Sequence, residues 1–88
     1  MYVGRGVKYF SKLGVGEFYI EASELHVGDK LLVTGPTTGA MYLELEEARV
    51  DLGPVDTVPK GVYVSFKVPA KVRPADKLYK IVSTKACD

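Results

Sequence analysis

Tryptophan is absent from this 88-residue chain, and histidine and cysteine occur once each, as His26 and Cys87. A lone thiol one residue from the C-terminus can neither staple the domain nor join a metal cluster, and such sparse use suits a reducing cytoplasm. One histidine and one terminal cysteine leave no ligand set, so neither a metal nor a cofactor is expected. Apolar runs are only a few residues long, and no basic segment leading into an apolar core follows Met1, so neither a membrane span nor a signal peptide is expected. Helical periodicity is missing as well.

What the chain does have is period-two patterning. Hydrophobic residues make up 47% and charged residues 26% of the chain, the balance of a soluble globular domain. The length allows one domain over residues 1–88, with an ordered core over about residues 3–82 and a tail over residues 83–88. From Val62 to Val68 the apolar Val62, Val64, Phe66 and Val68 alternate with Tyr63, Ser65 and Lys67. Such alternation buries one strand face and wets the other. Met41, Leu43 and Leu45 alternate in the same way with Tyr42, Glu44 and Glu46, and the alternation shifts near Glu47, where a bulge is expected. Phe18 and Ile20 define a third strand, Lys30 to Thr34 a fourth, about Val3 to Phe10 a first strand and about Lys77 to Val82 a last.

Gly, Pro and Asp clusters separate these strands every eight to twelve residues or so. With no amphipathic helix to cover an open sheet, closure is expected. The predicted fold is an all-β, six-stranded, closed or nearly closed β-barrel. Its expected core holds Val7, Phe18, Ile20, Leu32, Met41, Leu43, Leu45, Val62, Val64, Phe66 and Val68.

Charge is unevenly spread. Residues 1–15 carry +3, residues 16–58 carry −7 and residues 59–87 carry +6, although the whole chain is only +1. The basic constellation consists of Lys8, Lys12, Lys67, Lys71, Arg73, Lys77, Lys80 and Lys85, interleaved with Tyr9, Tyr63 and Tyr79. Lysines attract phosphates and tyrosines offer stacking surfaces for unpaired bases, which makes this group the candidate binding surface. A solvated strand face accounts equally well for any one of these residues. In a barrel whose chain ends adjoin, the two basic segments reinforce one another and the acidic middle faces elsewhere.

No catalytic residue is expected. His26 with Ser11, Ser23 and Asp29 lacks the nucleophile elbow and oxyanion loop of a hydrolase, and reads as an exposed turn residue. Glu44, Glu46 and Glu47 read as a wet strand face rather than as an acid/base pair. Asp29 is expected to order the Gly28 turn by accepting from backbone N–H groups two residues on. The loop Gly35, Pro36, Thr37, Thr38 and Gly39 has glycines and hydroxyls but no P-loop lysine, and it leads into a strand, so a hairpin loop is the better reading.

Two resemblances attach to these residues. Val3-Gly4-Arg5-Gly6-Val7, Leu25-His26-Val27-Gly28-Asp29-Lys30-Leu31 and the closing strand resemble the second domain of translational GTPases such as elongation factor Tu, a six-stranded barrel. More closely, Tyr9 to Val15, Gly28 to Gly39 and Val72 to Val82 resemble the C-terminal barrel of the collagenase-like peptidases, family U32. That second resemblance implies an accessory domain whose partner is a larger catalytic domain of the same or a neighbouring chain. The function so implied is non-catalytic recognition, positioning a macromolecular substrate, RNA or protein, beside that domain. The first resemblance implies a stand-alone RNA- or ribosome-binding barrel, with residues 35–39 as a contact loop. A structural docking domain is the third reading.

Overall fold

The computed structural model describes residues 1–51 and 53–81, so the expected tail, with Lys85, lies outside the described residues. Ten strands follow one another: β1 (Tyr2–Phe10), β2 (Val15–Ile20), β3 (Leu25–His26), β4 (Lys30–Gly35), β5 (Gly39–Glu44), β6 (Ala48–Val50), β7 (Gly53–Val55), β8 (Thr57–Val58), β9 (Tyr63–Lys67) and β10 (Lys77–Ile81). There is no helix among the described residues, and hence none long and apolar enough to cross a membrane.

Period-two patterning sets which face of each strand is inside. Phe18 and Ile20 of β2 and Val64 and Phe66 of β9 are buried, and the Phe18 and Phe66 rings stack with centroids 4.7 Å apart and planes 5° from parallel. Met41 of β5 and the neighbouring Leu45 are buried, while Leu43, Val62 and Val68 pack partly buried against the same core. Two expected core residues are outside it. In β4 the inward positions are Leu31 and Val33, both at 0% exposure, while Leu32 lies opposite Tyr79 on one side and Tyr42 on the other. An apolar run of Leu31-Leu32-Val33 carries no alternation from which to read the inward face. Val7 is only half-buried because it sits where the pairing of β1 with β2 shifts register between Gly6 and Lys8, and Val3 fills the core from β1 instead.

Eight strands form one antiparallel sheet in the order β5-β4-β10-β1-β2-β9-β6-β7, and β3 with β8 forms a separate pair. Of the expected all-β, six-stranded, closed or nearly closed barrel, the all-β class holds and full closure does not: the sheet is not hydrogen-bonded shut, and β5 and β7 are its two ends. The reason lies between Leu45 and Glu47. A single bulged strand was the expectation for Met41 to Val50, but the chain leaves the sheet there. β5 stays with β4, whereas β6 crosses to β9 and β7. The two-residue strands β3 and β8 bring Leu25 and Val58, both fully buried, into the common core.

β1 and β2 approach closely at Gly4, where a Cβ would collide with the Tyr19 carbonyl oxygen. Only glycine fits there.

Candidate binding surface

Three loops converge at one end of the sheet: the β1–β2 turn over residues 11–14, the β4–β5 loop over residues 36–38, and the long segment of residues 68–76 that leads into β10. Val72 and Asp76 fasten the long segment. Val72 is buried beneath the backbone of Gly6 and Gly16, and Val68 N–H donates to the Gly14 carbonyl at 3.0 Å. With Val72 turned inward, its neighbours Lys71 and Arg73 are turned out and exposed.

Asp76 holds the other side. Its residue exposure is 2%, and it is the buried charged residue among those described. Its Oδ2 accepts from Arg73 N–H at 3.0 Å and from the Thr38 hydroxyl, while its backbone carbonyl accepts from Gly6 N–H. Gly35 makes room for it, since a Cβ at Gly35 would collide with Asp76 Oδ1. Ala75, just before it, has φ 71° and donates its N–H to the Gly6 carbonyl at 2.9 Å. Asp76 thus joins the loop of Gly35, Pro36, Thr37, Thr38 and Gly39 to the Arg73 segment. In sequence it reads as one more turn aspartate, and only its three-way contacts reveal the clamp.

The basic residues divide between this end and other places. Lys12, Lys71 and Arg73 are on the converging loops, and Lys77 opens β10 opposite Arg5 and Thr34. Lys8 lies on β1 with its Nζ 5.2 Å from the Phe10 ring centre, and Tyr9 packs partly against the core. Lys80 is elsewhere and engaged: its Nζ donates to the Glu24 carbonyl at 3.1 Å and lies 3.9 Å from Asp29. β1 pairs with β10, so the basic opening and closing segments do adjoin. The acidic middle is not wholly apart, because Glu24 and Asp29 meet Lys80.

Tyr63 and Tyr79 belong to the outer face of the sheet. Tyr79 meets Tyr2 edge-on at 5.8 Å, Tyr63 meets Tyr19 at 4.9 Å, and the Arg5 guanidinium lies 5.1 Å over the Tyr19 ring. Glu21 links the two pairs, accepting from the Tyr2 hydroxyl at 3.0 Å and from Arg5. Partial burial first, and then the bond to Glu21, hold the Tyr2 phenol above its ordinary pKa. Tyr2, Arg5 and Tyr19 were not singled out in the sequence, where the irregular register of β1 hides their proximity.

The hydrolase candidates are scattered. His26 Nε2 lies 3.1 Å from Glu24 Oε2 and its Nδ1 3.3 Å from the Thr57 hydroxyl, while the Ser23 hydroxyl donates to Met1 Sδ and Ser11 is in the β1–β2 turn. Asp29 orders its turn by accepting from His26 N–H at 2.9 Å, reaching backward along the chain. No group of three or more potential metal ligands occurs among the described residues.

On the side where the sheet does not close, a groove of about 870 Å³ separates β5 from β9. Tyr42, Leu43 and Glu44 line one wall, and Phe66, Lys67 and Val68 line the other. Glu46, Glu47 and Arg49 lie along it, with Arg49 Nε 3.6 Å from Glu47.

No family model matches the chain. It is 54% identical over 80 residues to a protein of Porphyromonas gingivalis named collagenase, covering 91% of this chain and 19% of that protein. It is 29% identical over 82 residues to an uncharacterised protease of Methanocaldococcus jannaschii, covering 93% of this chain and 20% of the relative. The chain therefore spans about a fifth of the length of the curated relatives it matches. In structure it resembles the C-terminal domain of a U32 peptidase of Geobacillus thermoleovorans, with a TM-score of 0.85 at 19% identity, covering 92% of each chain. Sequence and fold point the same way: the chain is similar in sequence to part of proteins named collagenase and has the fold of the C-terminal domain of a U32 peptidase.

Proposed function

We propose that this domain is a non-catalytic recognition module, which holds a macromolecular substrate beside a catalytic domain supplied by the same or a neighbouring chain. The observation that carries the reading is the clamp at Asp76, which ties the 36–38 loop to the segment that carries Lys71 and Arg73 and leads into Lys77, with Lys12 on the adjoining β1–β2 turn. Loops positioned by a rigid sheet are the usual place for recognition. The similarity to a protein named collagenase makes a protein substrate the first choice. The concentration of cations at that end favours, as a second reading, RNA bound through its phosphates.

Both readings are tested on the isolated chain. Fluorescent gelatin and fluorescent single-stranded RNA are titrated at two salt concentrations against the chain and against its Lys71→Ala, Arg73→Ala, Lys77→Ala triple variant. The recognition reading expects one of the two ligands to bind and the triple variant to bind it more weakly. If the ligand is RNA, the variant also has a flatter salt slope, because fewer counterions are released. No binding of either ligand at low salt, or binding indifferent to the triple substitution, contradicts the reading and leaves a structural docking domain.

A further inference from the structure

We propose that the open side of the sheet, between β5 and β9, docks an extended segment of another polypeptide as an added β-strand, and that this segment alternates apolar with cationic residues. The site adjoins the loop end at Val68 but does not depend on the recognition reading.

Unpaired backbone is the first argument. Leu45 N–H donates to the Asp29 carbonyl, and residues 29 and 45 continue the register in which Lys30 faces Glu44. Hydrogen-bonding direction alternates along an antiparallel strand. Leu43 and Met41 therefore bond toward β4, and the backbone groups of Tyr42 and Glu44 point the other way, into the groove. The opposite wall follows by the same logic. Val68 N–H donates to Gly14 and Ile20 N–H to Val62, so Val62, Val64, Phe66 and Val68 bond toward β2. Ser65 and Lys67 then bond away from β2. Ser65 lies opposite Arg49 of β6, and Lys67 is beyond that single pairing. The β5 edge at Tyr42 and Glu44 and the β9 edge at Lys67 thus look at each other across a groove with no strand of the described residues between them, and an exposed edge is a template for one.

The chemistry of the walls selects the strand. On its core side the groove offers Leu43, Phe66 and Val68, which suit apolar side chains. Its outer rim carries Glu44, Glu46 and Glu47 on the β5 side, where among the described residues only Glu47 has a cationic partner, Arg49, and Lys67 is the one cation on the β9 wall, so acids outnumber cations along the rim. Side chains of a strand point alternately to the two faces. An inserted strand would therefore set apolar residues against the core side and lysine or arginine beside Glu44 and Glu46. Opposite charges on adjacent strands are favourable and like charges are not.

The test uses the chain with a fluorescent peptide of about eight residues, a typical strand length, that alternates valine and lysine. Controls are the same peptide with glutamate in place of lysine, and the lysine peptide N-methylated at every second residue to remove main-chain donors. The lysine peptide is expected to bind about tenfold more tightly than the glutamate peptide, the factor given by about 1.4 kcal/mol of charge preference. N-methylation is expected to abolish binding. The Glu44→Lys, Glu46→Lys variant, changed only at exposed positions, is expected to reverse the preference, while Lys71→Ala, Arg73→Ala, Lys77→Ala leaves it unchanged. On binding, amide exchange at Tyr42, Glu44 and Lys67 should slow. No binding, equal binding of the N-methylated peptide, or a charge preference that survives Glu44→Lys, Glu46→Lys overturns the proposal. So does a homodimer whose formation protects the β5 amides, since the occupant is then a second copy.

Discussion

The sheet has two unlike halves. From β4 through β10 and β1 to β2, every strand has a partner on both sides, with β1 joined to β10 over Tyr2 to Arg5 and to β2 over Gly4 to Phe10, and the loops at that end are pinned by Asp76 and Val72. From β9 through β6 to β7, and again at β5, pairing is short or one-sided, and the two margins meet across a groove instead of a ladder. The contrast separates two things that a β-sheet must achieve. Burying a core requires only that alternate residues be apolar, and both halves do that. Closing a sheet requires each edge to find a partner in register, and only the first half does.

The largest expected effect breaks the first half of that contrast, the claim that both margins share one core. Phe66 belongs to β9, beside the groove, yet is 3% exposed and stacked on Phe18. Phe66→Ala is expected to cost about 3–5 kcal/mol in denaturant unfolding, as for other buried aromatics, a large fraction of the stability of so small a domain. A loss below about 0.5 kcal/mol, the level of ordinary surface changes, would mean that the β9 margin is not part of the core.

Next in size is the clamp. Asp76→Ala removes the acceptor for Arg73 N–H and the Thr38 hydroxyl and is expected to cost about 1–3 kcal/mol, the range for stranding buried hydrogen-bonding groups. Its amide-exchange signature should be confined to residues 35–39 and 71–76, leaving the open side unaffected. Uniform loss of protection would show that the two halves unfold as one unit instead.

Much of this architecture is legible in sequence, and the failures have physical causes. The alternations at Val62 to Val68 and Met41 to Leu45 name the inward residues because the residues that separate them, Tyr63, Ser65, Lys67, Tyr42 and Glu44, are polar. Leu32 misleads because its neighbours are apolar too, and Val7 because a register shift falls on it. The pair β3 and β8 is too short, at two residues each, to carry any period. The lack of a covering helix requires a shared core but leaves edge register open, and in sequence the break between Leu45 and Glu47 looks the same as a bulge. Among the candidate site residues, Lys71 and Arg73 were found from composition, whereas Asp76 could be recognised only after Gly35, Thr38 and Arg73 were seen around it.

A smaller effect sharpens the account of the well-paired half. Glu21 accepts from the Tyr2 hydroxyl and adds negative charge beside it, both of which favour the neutral phenol. Glu21→Gln is expected to move the Tyr2 titration, followed by ultraviolet absorbance, downward, but not back to the ordinary tyrosine value, because burial is the larger cause and remains. A raised phenol pKa stabilises the fold below the ordinary tyrosine value, and that contribution is lost as pH rises through the folded value. The wild-type chain should therefore lose slightly more stability than Glu21→Gln in that alkaline range. An unmoved Tyr2 titration would detach Glu21 from the outer face of β1.

The open edge of β5 is tested most directly by native-state amide exchange read residue by residue along that strand. Met41 and Leu43 bond toward β4, whereas Tyr42 and Glu44 face the groove. The account predicts alternation within one strand, with Met41 and Leu43 strongly protected and Tyr42 and Glu44 exchanging at close to the rate of free peptide. Equal, strong protection at all four amides would mean that the sheet is closed by hydrogen bonds across the groove, and it would contradict the account.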